Sequence, residues 1–351
     1  MFDLNTWLNS GAIFFLGDNK YLLSCEHVSK SSEPQENPSY FAPDFYLNEK
    51  ESWHQFRYHK VWSSEDIILE LQSLNSIDSL QKLNTWKEPS LLDFENQFKK
   101  IKSMIKEGSI EKLVPVVFET QDHAFNKDDI LTSVLNLLRV NKEQYVYGLW
   151  NQDQGVLGIT PELLFKIKDG IIETMALAGT GHINDEQSSL INDPKEMTEH
   201  KIVVDSLQST LKSYGDLKVS ETYEWSLNPL KHLRTDISLS SQNIKLKNEE
   251  ILNLIKKLHP TPALGVSPKS YSWKNLKQFE TKERKKFGAP FGLLYKDEFK
   301  SLVAIRNIQW EKSEVSLGSG CGIVNQSELA SEWKELAHKR NSVKQYMGFD
   351  L

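Results

Sequence analysis

Between residues 144 and 178 the chain reads as strand-like stretches following one another through turns. They are Gln144–Trp150, Leu157–Ile159, Leu163–Lys168 and Ile171–Ala178, with Asp169-Gly170 as a hairpin turn between the last two. A doubly wound fold would alternate strand and helix strictly, and this chain does not. Earlier strand-like stretches lie at Ala12–Leu16, Tyr21–Ser24 and His59–Trp62, and later ones at Lys112–Glu119 and Leu302–Trp310. Helical spacing places helices at Ser64–Leu74, Phe94–Lys106, Thr198–Tyr214, Asn248–Leu258 and Ser327–Met347. Phe94, Phe98, Ile101 and Ile105 mark the second of these, and Ile202, Val203, Leu207 and Leu211 the third. Gly108 and Pro260 stop two of the helices, and the proline-bearing segment Ser31–Pro43 reads as an exposed loop. The pattern predicts an α+β chain with largely antiparallel sheets.

Composition narrows the function. A chain of 351 residues can bury a sizeable core, and 39% hydrophobic content is that of a globular protein. Against 48 acidic residues stand 42 Lys and Arg, a formal charge of −6, which is the wrong sign for a nucleic-acid binder. Cys25 and Cys321 form no disulfide framework, no apolar run is long enough for a membrane span, and Met1-Phe2-Asp3-Leu4 lacks the start of a signal peptide. A cytoplasmic protein with neither a nucleic-acid nor a membrane partner is expected.

Several residues could carry chemistry. Glu196 and Glu199 stand three apart on one predicted helix, and Glu332 and Glu335 three apart on another, so each pair shares a helix face. Facing each other, the pairs would form a four-carboxylate nest suited to Mg²⁺; taken singly, each is also an ordinary solvated face. Lys112 and Arg306 sit in apolar strands, either on an exposed face or paired in a cleft, where Arg306 could grip a carboxylate and Lys112 act as a base. Gly179-Thr180-Gly181 and Gly318-Ser319-Gly320-Cys321-Gly322 follow strands and fit either turns or close approach to an anionic ligand. His259 lies in a rigid His-Pro-Thr-Pro turn, and His200 has no partner at zinc spacing.

The order of these features is more specific than any one of them. The series begins with Lys112-Leu-Val-Pro-Val-Val, Ile159-Thr-Pro-Glu-Leu-Leu-Phe165 and Leu177-Ala-Gly-Thr180. It continues with Lys195-Glu-Met-Thr-Glu-His200, His259-Pro-Thr-Pro-Ala263, Ala304-Ile-Arg306 and Gly320-Cys-Gly-Ile-Val324, and ends on Glu332, Glu335 and Lys339. It resembles the chorismate-binding enzymes, the family of anthranilate, aminodeoxychorismate, isochorismate and salicylate synthases. The resemblance implies an α/β/β/α sandwich of two large stacked antiparallel sheets with helices outside. Residues 91–351 would be the catalytic region, and 1–90 a shortened variable N-terminal part packed on the same fold.

It also implies Mg²⁺ held by Glu199 and Glu335 with Glu196 and Glu332 supporting, and chorismate as substrate. Gly179, Thr180, His259, Arg306, Gly320, Gly322 and Lys339 would bind that substrate. Lys112 stands where the family has its water-activating base, and Ala178 where the aminodeoxychorismate type has a nucleophilic lysine. Glu162 would be the general acid. The implied activity is isochorismate synthase in menaquinone supply, as a monomer without a glutamine-amidotransferase subunit. The alternatives are a salicylate synthase, which goes on to eliminate pyruvate, and a chorismate-binding protein with weakened catalysis. Phe287, where many members carry a substrate-contacting tyrosine, loses a hydrogen bond of about 1 kcal/mol; Ala289, Val266, Cys321 and Pro115 depart from the family pattern as well.

Overall fold

In the computed structural model, which describes residues 1–74, 86–140, 143–183, 189–240 and 246–349, the strands join into one antiparallel sheet of 16. Hydrogen bonding runs from Leu217–Val219 through Leu230–Ser240, Ile171–His182, Leu163–Lys168 and Glu298–Val303 to Pro290–Tyr295, forming a first wing. It then crosses Ser39–Phe41, Trp53–Ser63, Lys20–Ser31 and Gly11–Gly17. A second wing follows: Tyr145–Trp150, Gln154–Thr160, Asn307–Glu311, Glu314–Gly320 and Val116–Asp122. Tyr223–Leu227 pairs with Leu230–Ser240 beside this path.

The two layers expected from the sequence are these two wings, folded face to face and hydrogen-bonded through the N-terminal strands. A register shift between His27 and Ser29 marks an irregularity in the long connecting pair, the kind of feature that sharpens local twist. Between the wings, Phe14 stacks on Phe291 at 6.2 Å and Tyr147 meets the same ring at 5.0 Å. Met175, Leu177, Leu302 and Val156 complete this inner core. Helices cover the outer faces. Lys127–Leu137 and the C-terminal helix Leu329–Met347 pack on the second wing, and Pro194–Leu211 and Asn248–Leu258 on the first.

Two stretches that read as single strands are broken, and both breaks serve the same region. Pro115 has no N–H to give a ladder, and the predicted strand Lys112–Glu119 splits around it. Lys112–Leu113 pairs with Val266–Ser267, and Val116–Asp122 joins the main sheet. The guanidinium of Arg284, fully buried, secures the break by donating to the carbonyls of Val114 and Leu264, both at 2.9 Å, and to Glu280 Oε1 at 2.6 Å.

Leu302–Trp310 likewise divides, because Glu298–Val303 belongs to one wing and Asn307–Glu311 to the other. The chain crosses over at Ala304–Arg306. Buried Asn307 stitches the crossing by donating to the Ala304 carbonyl at 2.6 Å and to Tyr147 Oη at 2.8 Å, while Tyr147 donates to the Ile305 carbonyl at 2.9 Å.

Smaller differences have local causes. The expected loop contains the short strand Ser39–Phe41, and a helix over Lys127–Leu137 starts at an Asn126/Asp129 capping box. The helix predicted from Thr198 begins at Pro194, because Asp193 caps it by accepting from the Lys195 and Glu196 N–H groups. Both cysteines are free and buried, and no helix among the described residues is long and apolar enough to cross a membrane.

Arg284→Met should lower stability by about 3 kcal/mol, since it strands a buried carboxylate and two carbonyls. Urea unfolding would show this as a lower midpoint; an unchanged midpoint would refute the role given to Arg284.

Candidate active site

The apolar stripe of helix Pro194–Leu211 runs Val203, Leu207, Leu211, and its helical continuation toward the N-terminus is Glu196, Glu199 and His200, all buried. The same logic in Leu329–Met347 puts Glu332 on the buried face with Leu336, Arg340 and Val343, and Glu335 and Lys339 beside them. A buried ion-paired cluster fixes the second helix. Arg340 Nε and Lys344 Nζ each lie 2.5 Å from Glu119 on the sheet, and Arg340 also donates to Ser319 Oγ at 2.9 Å.

The four glutamates converge as the sequence suggested. At their centre is a residue that the sequence reading did not single out. Lys195 Nζ lies 2.8 Å from Glu196, 3.2 Å from Glu332, 3.5 Å from Glu199 and 3.8 Å from Glu335. The available signal was its position: a lysine in a first helical turn opposes the helix dipole and needs another reason to be there.

Burial and the neighbouring Glu199 raise Glu196 to about 7, and burial and Glu335 do the same to Glu332. Burial also works against Glu199, but the ammonium groups of Lys112 and Lys195 prevail and hold it at about 2. Neither oxygen of Glu332 accepts a hydrogen bond among the described residues, and its side chain is almost fully enclosed. This all-oxygen set with unspent acceptor capacity fits a hard divalent cation. With Lys195 among them, the carboxylates do not stand at metal-coordination geometry.

Lys112 is completely buried and its Nζ sits 2.8 Å from Glu199 Oε1. Gly322 makes room for this pair: a Cβ there would fall 2.0 Å from Glu199 Oε1 and 2.4 Å from Lys112 Cε. Lys339 bonds Glu335 Oε1 at 2.6 Å and the Gly320 carbonyl at 2.9 Å. Gly179 lies not in a turn after the strand but at a bulge within Ile171–His182, at φ +80°, a region costly for other residues, and from there the Thr180 N–H donates to Glu196 Oε2 at 2.8 Å.

Next to the nest is a cavity lined by Glu162, Ala178, Gly179, Thr180, Glu199, Arg306, Phe287, Gly320, Gly322 and Lys339. Burial pushes the Glu162 carboxyl up to about 8, outweighing the opposing pull of Lys112 and Lys339. Arg306, held at φ +53° by the crossing between wings, lines the cavity with its guanidinium. One arm reaches Ser342 Oγ at 3.3 Å and another donates to His232 Nε2 at 2.9 Å.

An arginine has only donors, so His232 Nε2 must accept, and its proton sits on Nδ1, 3.2 Å from the Gly179 carbonyl. Burial and Arg306 both keep this imidazole uncharged. His232 thus links the arginine to the Gly179 bulge. Sequence reading missed it, because the strand that carries it was not recognised and a lone histidine has no spacing to betray it.

His259 is placed elsewhere. Its Nε2 meets the Phe45 carbonyl at 2.7 Å, its ring packs against Phe45 and Trp273, and it does not line the cavity. The turn it begins does deliver Ala263 and Leu264 to the cavity wall. His200 bonds Thr235 Oγ1 at 2.8 Å and the Ala178 carbonyl at 3.2 Å, a structural role.

Comparison with known proteins decides the family. The family described as chorismate binding enzyme matches residues 32–348. The chain belongs to the chorismate-binding enzyme family. It is 31% identical over 245 residues to isochorismate synthase MenF of Bacillus subtilis, covering 66% of this chain and 50% of that one. It is 28% identical over 233 residues to anthranilate synthase component 1 of Saccharolobus solfataricus, covering 63% and 54%. This member spans about half the length of the curated relatives it matches. Its fold is that of the menaquinone-specific isochorismate synthase MenF from Escherichia coli, with TM-score 0.78, 19% identity, and coverage of 99% and 91% of the two chains.

Gly322→Ala should break the Lys112–Glu199 pair and cost about 1–3 kcal/mol of stability, the usual penalty of overpacking. Urea unfolding checks this; an unchanged midpoint would contradict the account.

Proposed function

We propose that this chain is an Mg²⁺-dependent isochorismate synthase, converting chorismate to isochorismate by adding water at C2 with loss of the C4 hydroxyl. The observation that carries this reading is the lining of a single cavity. It has a carboxyl kept protonated on one wall, an arginine and a lysine for substrate carboxylates, and Glu199 of the four-glutamate nest, whose other three members line an adjoining opening. Ala178 in the same wall supplies no nucleophile, so water is left to attack. The relatives named isochorismate synthase support the choice among the family's reactions, and we propose menaquinone supply as the pathway.

Glu199 and Glu335, supported by Glu196 and Glu332, would hold the cation, which when bound neutralises a substrate carboxylate. Arg306 would grip the other carboxylate, presented by the crossing between wings and steadied by His232 and Ser342. The backbone at Gly320 and Gly322 lets the ligand lie against the main chain. Lys112 would take the proton from the attacking water, with Glu199 as its present ion partner. Glu162, in the cavity wall, would give its proton to the departing C4 hydroxyl. Phe287, packed edge-on against Phe118 in the cavity, contributes shape rather than a hydrogen bond. We further propose that the enzyme acts in the cytoplasm as a monomer, without an amidotransferase subunit, because no ammonia enters the reaction.

Incubation with chorismate and Mg²⁺ followed by chromatography should yield isochorismate. Salicylate with pyruvate would reassign the reaction, and anthranilate on adding ammonium would overturn the use of water. Lys112→Ala and Glu162→Gln should each abolish turnover with the fold retained, and more than a few per cent residual activity would remove the corresponding role.

The alkaline limb of the rate profile follows from Glu162. A raised carboxyl is protonated below its pKa and deprotonated above it, so an acid role requires kcat to fall as pH rises through about 8. A profile flat across that region would exclude Glu162 as the acid.

A further inference from the structure

We propose that Lys195 is an internal counter-ion that occupies the cation position of the metal-free enzyme and must swing out before a divalent ion can bind, so that it sets the affinity for that ion. The inference rests on the assignment of the four glutamates as the cation site.

Three observations carry it. First, one point in the structure lies within 4 Å of all four carboxylates, and the Lys195 ammonium is there. Lys112 and Lys339 lie at the margins, paired with Glu199 and Glu335 respectively. A lysine ammonium and a divalent cation cannot share one position, because like charges at such separations repel strongly where water is scarce.

Second, Lys195 has a way out. It follows Pro194 at the start of its helix, its side chain is 17% exposed, and it lines an open cavity with Asp193, Gln326 and His338. Its four-carbon stem can rotate into that opening with the helix backbone unmoved. Lys112, with no exposed surface, has no such route.

Third, the position does not tolerate vacancy. Glu332 is buried without a hydrogen bond and has the Lys195 ammonium 3.2 Å away. Removing that charge without replacement would leave an uncompensated buried carboxylate, a cost of several kcal/mol in general. One cation or another must fill the nest. A built-in ammonium keeps the two helices together until the metal arrives, and lowers the metal's apparent affinity by the fraction of molecules in which the lysine is still seated.

The test uses Mn²⁺ as probe with the full-length chain and the variants Lys195→Met and Lys195→Arg. Free Mn²⁺ is read by electron paramagnetic resonance, and melting is followed with and without the ion. Lys195→Met should bind Mn²⁺ roughly tenfold tighter than the wild-type chain, because no fraction of the nest remains blocked. It should also melt lower when cation-free and recover on adding Mn²⁺. Lys195→Arg keeps the charge and adds a planar fork for carboxylates, so it should bind Mn²⁺ more weakly than the wild type.

Equal or weaker binding by Lys195→Met overturns the inference. Should that variant fail to fold, wild-type affinity in Lys195→Arg overturns it instead. Absence of Mn²⁺ binding in all three chains overturns it together with the cation assignment. Failure of the proposed reaction alone is a different result: the predicted affinity order stands, and no product forms from chorismate.

Discussion

Buried negative charge without a matching positive partner is among the most expensive things a folded chain can hold. Here two helices far apart in the sequence, Pro194–Leu211 and Leu329–Met347, each bring two glutamates to one place, and three lysines answer them. Lys195 lies among all four, with Lys112 and Lys339 on the flanks. Much of the surrounding architecture follows from keeping these charges together. Asp193 and Pro194 start one helix where its acids turn inward, and Glu119 fastens the other to the sheet through Arg340 and Lys344. The absence of a side chain at Gly322 leaves the Lys112–Glu199 pair its space.

The arginine side of the cavity is as constrained as the carboxylate nest. The crossing at Ala304–Arg306 carries the chain from one wing of the sheet to the other, and Asn307 and Tyr147 hold it by hydrogen bonds within the core. Arg306 is thereby presented in a left-handed backbone conformation that a residue with a side chain rarely adopts. Such strain persists only where the surroundings over-determine it. His232 extends the arrangement to the Gly179 bulge, so the arginine and the Thr180 N–H are aimed by one connected set of bonds.

Much of this was legible in the sequence, and the failures have physical reasons. The glutamate pairs could be read because helical spacing fixes which residues share a face, and the structure brings all four together. Glu162 and Arg306 were legible through their order along the chain, as were the two glycine-bearing segments, which lie within strand Ile171–His182 and at the end of Glu314–Gly320 rather than in turns after them. Lys195 was overlooked because charge complementarity across two helices has no local signature. His232 was overlooked because its strand, Leu230–Ser240, lacks an apolar run long enough to stand out. His259 was misassigned because a rigid turn beside a site resembles a turn within it. The strand breaks at Pro115 and Ala304 show how periodicity overruns when a chain changes sheet partners without changing its hydrophobic character. The continuity of the sheet through the N-terminal strands is a matter of long-range pairing, which no local pattern encodes.

That continuity has a consequence for how the molecule comes into being. Gly11–Gly17 lies against Tyr145–Trp150, and Ser39–Phe41 against Pro290–Tyr295, so these strands are made well before the partners that flank them. Their edges stay open in the meantime, and pairing across such sequence distances is slow. An early edge left waiting is a site for mispairing with other chains.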